Sequence, residues 1–227
     1  MLPRETIATA KIPGGEELQL VTHGRDFIIM VGRDELMSSR MQFSEEQLAL
    51  LTLERLSAKA PHVLIGGYGM GFTLRAALAG LPADAKLVVA EIVTEIVEWA
   101  RGPMNSLTGE SLDDQRLKIE FSDVADVIGD AADGFSSAYD AILLDVDNGP
   151  DGLVRKENNR IYSRTGLALA REALRPGGLL AVWSAAPDPA FVRRLKDAKF
   201  LVEERFVRAR PNNKGPRHTI WFARRPE

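Results

Sequence analysis

Two aspartates, Asp145 and Asp147, follow the apolar run "AILL" in the stretch "YDAILLDVDNGP". A carboxylate at the end of a buried strand can bind a cationic amine or take a proton from one, and residues two apart on an extended backbone point to the same side. The pair forms the candidate catalytic site. An Asx-type turn over Asp147, Asn148, Gly149 and Pro150 is the plain alternative for the second aspartate. A second cluster is "LIGGYGMGF", in which Gly67, Gly69 and Gly71 fall at alternate positions. Glycines in a strand-to-helix turn let backbone N–H groups come close to a ligand, as in the nucleotide-binding turns of doubly wound folds. About twenty residues on, "VVAEIV" carries Glu91, followed by Ile92; an acid there can accept hydrogen bonds from both ribose hydroxyls. In "EFSDVADVI", Asp123 precedes Val124 after a third strand. It can receive an adenine amino group or simply cap the next helix. Signals at three successive strand ends point together to an adenine nucleoside. No Walker lysine follows the glycines, and Phe72 stands where a dinucleotide fingerprint needs its third glycine.

These residues need a scaffold that brings strand ends together. From His62 onward, strand patterns (63–65, 86–90, 117–121, 141–144, 178–183) alternate with helix patterns (73–79, 94–101, 123–128, 162–174), which implies a parallel sheet with helices on both faces. "RPGG" at 175–178 reads as a helix stop before a buried strand. The stretches 201–208 and 218–223 flank the polar loop "ARPNNKGPR" and read as an antiparallel pair closing the sheet edge. Before residue 43 the chain reads as short strands at 6–12, 18–22 and 27–31, with turns at Pro13–Gly15 and His23–Asp26. A helix is expected from Ser44 as N-cap with Gln47 three residues on, its apolar face supplied by Leu48, Leu51, Leu53 and Leu56. The division expected is a β-hairpin or meander over 1–42 and a Rossmann-like nucleoside-binding transferase domain over 43–227.

Composition sets bounds. The chain has 227 residues, 45% of them hydrophobic, enough for a sizeable core. There is no cysteine, hence no disulfide framework, thiolate metal site or cysteine nucleophile. The three histidines lack partners at ligand spacing, so no metal is expected; His218 reads as an ordinary strand residue. The net charge of −3 argues against general nucleic-acid binding, and Arg205, Arg208, Arg210, Lys214 and Arg217 read as charged protection of a sheet edge. No apolar run is long enough to span a bilayer, and the N-terminus lacks the pattern of a secretory signal, so a cytoplasmic protein without membrane partners is expected.

The spacing of Gly67, Gly69, Gly71, Glu91 and Asp123 resembles the class I S-adenosylmethionine-dependent methyltransferase fold, including that fold's terminal antiparallel pair. Within it the chain resembles the spermidine synthases (aminopropyltransferases) from about Phe43 through "LRPGGLLAVWSA". The matching pieces are "VLIGGYGMGFTLRAAL", "VVAEIVTEIVEWAR", "DDQRLKIEFSDVADVI", "YDAILLDVDNGP" and "IYSRTGLALAREALRPGG". The resemblance implies a site for decarboxylated S-adenosylmethionine or methylthioadenosine, with Glu91 on the ribose, Asp123 on the adenine and Asp145 as catalytic aspartate. It places Tyr162 near the active site, and Trp183 is a candidate for the acceptor pocket. Three positions depart from the family. Met70 stands where its glycine loop carries an acid. Glu45, Glu46 and Gln47 replace its Tyr-His-Glu helix signature, which makes Gln47 the expected cofactor contact. Asn148 stands where its second loop aspartate falls.

The expectation is a spermidine synthase-like aminopropyltransferase of polyamine metabolism, acting on a small-molecule amine and, by the same resemblance, a homodimer. The alternatives are an S-adenosylmethionine-dependent methyltransferase on a small substrate, or a non-catalytic nucleoside-binding protein of the same fold.

Overall fold

The computed structural model of the chain describes residues 3–134, 138–146, 149–150 and 159–227. Four strands come first: β1 (Arg4–Lys11), β2 (Glu17–His23), β3 (Asp26–Val31) and β4 (Asp34–Ser38). Helix α1 (Phe43–Leu53) leads into β5 (His62–Gly66), α2 (Phe72–Gly80), β6 (Lys86–Ala90) and α3 (Thr94–Arg101). The short α4 (Asn105–Thr108) and a 3-10 turn (Gly109–Asp113) precede β7 (Leu117–Glu120), α5 (Val124–Ala132) and β8 (Tyr139–Leu144). Then come α6 (Asn159–Tyr162), α7 (Arg164–Ala173), β9 (Leu174–Ser184), α8 (Pro189–Asp197), β10 (Leu201–Arg210) and β11 (Lys214–Arg224). Among the described residues no helix is long and apolar enough to cross a membrane.

β1 to β4 form an antiparallel meander, and the remaining strands form one sheet in the order β10-β11-β9-β8-β5-β6-β7. β5 to β9 run parallel, with Val63 opposite Ala141 and Leu87, and β10–β11 closes the edge antiparallel. β5 is the first parallel strand and lies in the middle. Val63, Leu64 and Ile65 are fully buried because helices cover both faces, which is why they read as an unbroken apolar run. The two sheets share a core: Ala10, Leu18, Leu20 and Ile29 of the meander pack in one cluster with Leu48, Ile65, Phe72 and Trp183. The Rossmann-like methyltransferase arrangement expected from the alternating pattern is the fold observed.

Several boundaries differ from expectation, each for a local reason. α1 starts at Phe43 with Gln42 at its cap, because the Ser44 hydroxyl is engaged elsewhere, with Glu45 and His218. The helix expected over 162–174 is divided at Ser163, whose extended backbone (ψ 165°) and side chain cap α7 by accepting from the Gly166 N–H at 3.0 Å. "RPGG" lies within β9 rather than ahead of it, since the Gly177 and Arg225 N–H groups bond across to Arg225 and Gly178 carbonyls. β4, α4 and α8 have no counterpart in the sequence reading. α8 carries a plain start signal, Asp188 accepting from the Ala190 and Phe191 N–H groups with Pro189 beside it.

Candidate active site

A cleft opens at the carboxyl ends of the parallel strands, where open α/β sheets place their ligands. Its floor is built in sheet order: Ser122, Asp123 and Val124 after β7, Ala90 to Val93 at β6, Gly67 and Gly69 after β5, Asp145 and Val146 after β8, and Trp183 in β9. Glu45 of α1 closes one side. Ile12, Leu18, Ile29, Leu36 and Met37 of the meander roof it with apolar surface.

Glu91 is 5% exposed, and its two oxygens accept from the Tyr68 N–H (2.9 Å) and the Val93 N–H (2.8 Å). Burial pushes its pKa up while these backbone donors pull it down. The carboxylate is thereby held rigidly at the end of β6, with further lone pairs for a ligand. Asp123 is the cap of α5, its Oδ1 accepting from the Ala125 N–H at 2.9 Å, and it also lines the cleft. Ile92 and Val124 line it beside these acids.

The glycine turn holds a surprise: the close approach that its missing side chains permit is made by the protein itself. A Cβ on Gly67 (φ 86°) would lie 2.7 Å from the Asp145 carbonyl oxygen, and one on Gly69 (φ 54°) would lie 2.8 Å from the Met37 Cε. Met37 is seated on the turn, its sulfur 3.2 Å from the Met70 nitrogen. Gly67 and Gly69 still line the cleft. Gly71 does not; it is the N-cap of α2, with the Tyr68 ring packed on it. Met70 is fully buried and turned out of the cleft.

The chemistry concentrates around Asp145 and Glu45. Asp145 Oδ2 accepts from the Thr73 hydroxyl at 2.6 Å, and that hydroxyl lies 3.2 Å from the Glu45 carbonyl oxygen. Glu45 is 7% exposed, and its Oε2 accepts from the Ser44 hydroxyl at 2.7 Å. Ser44 Oγ is in turn 2.9 Å from His218 Nδ1, whose ring packs edge-on against Trp183 with centroids 4.7 Å apart. With the Ser44 proton given to Glu45, the Nδ1 of His218 carries a hydrogen and donates to Ser44. Burial lowers the His218 pKa, which keeps the ring neutral. Burial, and then the charge of Asp145, pushes Glu45 up to about 8. Burial, opposed by the Thr73 hydroxyl, pushes Asp145 up to about 6. Among the described residues neither carboxylate has an ion-pair partner, so at neutral pH the two hold a proton between them.

Two further expected site residues lie away from the cleft. Gln47 does not line the cleft: on α1 the buried face is Ser44, Glu45, Leu48, Ala49 and Thr52, and Gln47 falls out of that phase. Tyr162 is fully buried behind the floor, its hydroxyl donating to the Val146 carbonyl at 3.2 Å. Asp147, the second expected catalytic aspartate, lies outside the described residues, as does Asn148. Glu45, Ser44, Thr73, Met37 and His218 were not singled out as site residues in the sequence. For Glu45 the signal was present in its helical spacing with Leu48, Ala49 and Thr52.

No family model matches the chain. It is 31% identical over 137 residues to a polyamine aminopropyltransferase of Mycobacterium tuberculosis (strain CDC 1551 / Oshkosh), a match covering 60% of this chain and 25% of that one. Two polyamine aminopropyltransferases of Prochlorococcus marinus are also similar. That of strain MIT 9313 is 31% identical over 156 residues, covering 68% of this chain and 51% of the relative; that of strain MIT 9312 is 27% identical over 147 residues, covering 65% and 48%. The matches thus span between a quarter and about half of these relatives' lengths. Among solved structures, spermidine synthase from Thermotoga maritima superposes with a TM-score of 0.75 at 17% identity, over 97% of this chain and 72% of that one. A spermidine synthase in complex with the transition state analogue AdoDATO gives 0.74 at 17% identity, with the same coverage. The chain is spermidine synthase-like: it has that fold, and in sequence it is similar to polyamine aminopropyltransferases over three-fifths to two-thirds of its length.

Proposed function

We propose that the chain is an aminopropyltransferase of polyamine metabolism, using a decarboxylated S-adenosylmethionine-type donor and a small amine acceptor. The observation that carries this reading is the order of acids along the cleft. Asp123 stands after β7, Glu91 at β6 and the Asp145–Glu45 pair between β8 and α1, so nucleoside-binding groups occupy one end and amine-binding groups the other. The similarity to aminopropyltransferases supports the same assignment.

Glu91 accepts from the ribose hydroxyls, and Asp123 takes the adenine amino group. Ile92 and Val124 supply apolar surface for the base beside them. The donor contributes a methylene activated by a sulfonium. As the acceptor nitrogen forms its bond to that carbon, the carbon–sulfur bond breaks and its electron pair neutralises the sulfur. The nitrogen then carries one proton too many, which Asp145 takes. A carboxylate raised to about 6 is better matched to that transfer than an ordinary aspartate. Most of the rate comes from alignment of nitrogen, carbon and sulfur, to which the rigid strand ends contribute. Trp183 forms the wall on the acceptor side. The reading extends to a homodimer, which rests on the N-terminal strands and the family resemblance and is checked by sedimentation.

The test is incubation with decarboxylated S-adenosylmethionine and a panel of di- and triamines, followed by mass spectrometry for methylthioadenosine and the lengthened amine. Asp145→Asn is expected to lower turnover about 10²- to 10⁴-fold while methylthioadenosine still binds. Equal turnover in the variant, or no product with any amine, refutes the reading.

A further inference from the structure

We propose that Glu45 is the specificity-determining residue of the cleft: with Asp145 it receives the primary ammonium of the donor's aminopropyl arm, and it turns away a donor that retains a carboxylate. This rests on the aminopropyl-transfer reading and names the group that selects its donor.

Three observations lead there. The first is position. Along the cleft the acids follow the strand order, Asp123 after β7, Glu91 at β6, then the turn after β5, then Asp145 and Glu45; on the transfer reading a nucleoside held by the first two sets its sulfur over that turn and points the arm it carries toward the last two. The second is the lack of a cation beside the pair among the described residues. Glu45 lines the cleft while 7% exposed, and nearby basic groups are committed elsewhere: the Arg75 guanidinium bonds the Met70 carbonyl at 3.3 Å and lies over Phe72, and the His218 Nδ1 donates to Ser44. Two carboxylates brought together without a cation are costly unless a ligand supplies one. Ser44 and Thr73 fix one oxygen of each, which orients the pair toward the cleft. An ammonium offers three N–H donors, enough to bridge both acids. The third is the glycine turn. It contributes no acid, because Met70 is packed into the core and Met37 covers Gly69. The cleft's only described acids at this end are therefore Glu45 and Asp145.

Selectivity follows from the same pair. A donor bearing a carboxylate on the carbon that carries its amine would set a further negative group against a buried acid pair that has no cation of its own, where like charges repel strongly.

The experiment is calorimetric titration of the full chain and of Glu45→Gln with decarboxylated S-adenosylmethionine, S-adenosylmethionine and methylthioadenosine. Gln keeps the size of Glu45 and an oxygen for the Ser44 hydroxyl. The expected result is an affinity for the decarboxylated donor about ten- to a hundredfold weaker in the variant, methylthioadenosine binding unchanged within about twofold, and a narrowed gap between the two sulfonium ligands. An unchanged affinity for the decarboxylated donor, with methylthioadenosine still bound, overturns this inference and leaves the transfer reading standing. Loss of all three ligands in the variant assigns Glu45 to the architecture of the cleft and also overturns it. Wild-type protein that binds none of the three removes the transfer reading itself.

Discussion

Glu45→Gln is expected to stabilise the ligand-free protein, and to do so far more at pH 8 than at pH 5. In the unfolded chain Glu45 ionises around its ordinary value of 4.5; in the fold it holds its proton up to about 8. Between those values the folded state binds more protons than the unfolded one, so each rise in pH costs stability. The contribution of Glu45 is fully present below about 4.5 and is lost as pH climbs through about 8. At about 1.4 kcal/mol per pH unit, the loss is roughly 1 kcal/mol at pH 5 and roughly 4 kcal/mol at pH 8. Asp145, raised to about 6, adds a loss of the same sign over a narrower range. Glu46, the other carboxylate acting on Glu45, remains in the variant, and so do Ser44 and neutral His218. Glutamine removes the Glu45 part at every pH. For a chain of this size the difference corresponds to a melting-temperature gain on the order of 5–15 °C at pH 8 and only a few degrees at pH 5. Differential scanning calorimetry of both proteins at the two pH values measures it. A gain of equal size at pH 5 and pH 8, or no gain, refutes the assignment of Glu45 as a buried acid that resists ionisation.

Two further substitutions test the nucleoside end and the turn. Glu91→Gln leaves an amide facing one of the two backbone N–H groups that the carboxylate now satisfies, at a cost of about 1–3 kcal/mol, and methylthioadenosine affinity should fall at least tenfold; melting and binding unchanged from wild type would remove Glu91 from the site. Gly67→Ala places a methyl group 2.7 Å from the Asp145 carbonyl oxygen in a left-handed backbone, so a loss on the order of 2–4 kcal/mol is expected in urea unfolding, and a loss below about 0.5 kcal/mol would contradict the packing of β8 on the turn.

The parts of the fold legible in the sequence are those set by local pattern. The buried run of β5, the glycine turn, Glu91 in phase after β6 and the closing hairpin all declare themselves through burial period and turn residues. What stayed hidden depends on contacts between distant segments. Nothing near Met37 in sequence says that its thioether will rest on Gly69, 32 residues away by number, because that follows only from the meander folding over the sheet. His218 is the strand residue expected, in β11, but its contact with Ser44 stayed hidden because the two are 174 residues apart. Glu45 is the instructive case. Alignment with a family signature favoured Gln47, whereas the helical period of 45, 48, 49 and 52 favoured Glu45, and the helix obeys its own period.

β11 enters the large sheet between β9 and β10, and it brings His218 to Ser44 across a separation of 174 residues. Among the described residues none of the closing hairpin lines the cleft, yet Ser44 is held between His218 of β11 and the Glu45 carboxyl of α1. A substitution in that hairpin which moves His218 therefore reaches the acid end of the cleft through a single hydroxyl, so the edge of the sheet and the chemistry at its centre are not independent.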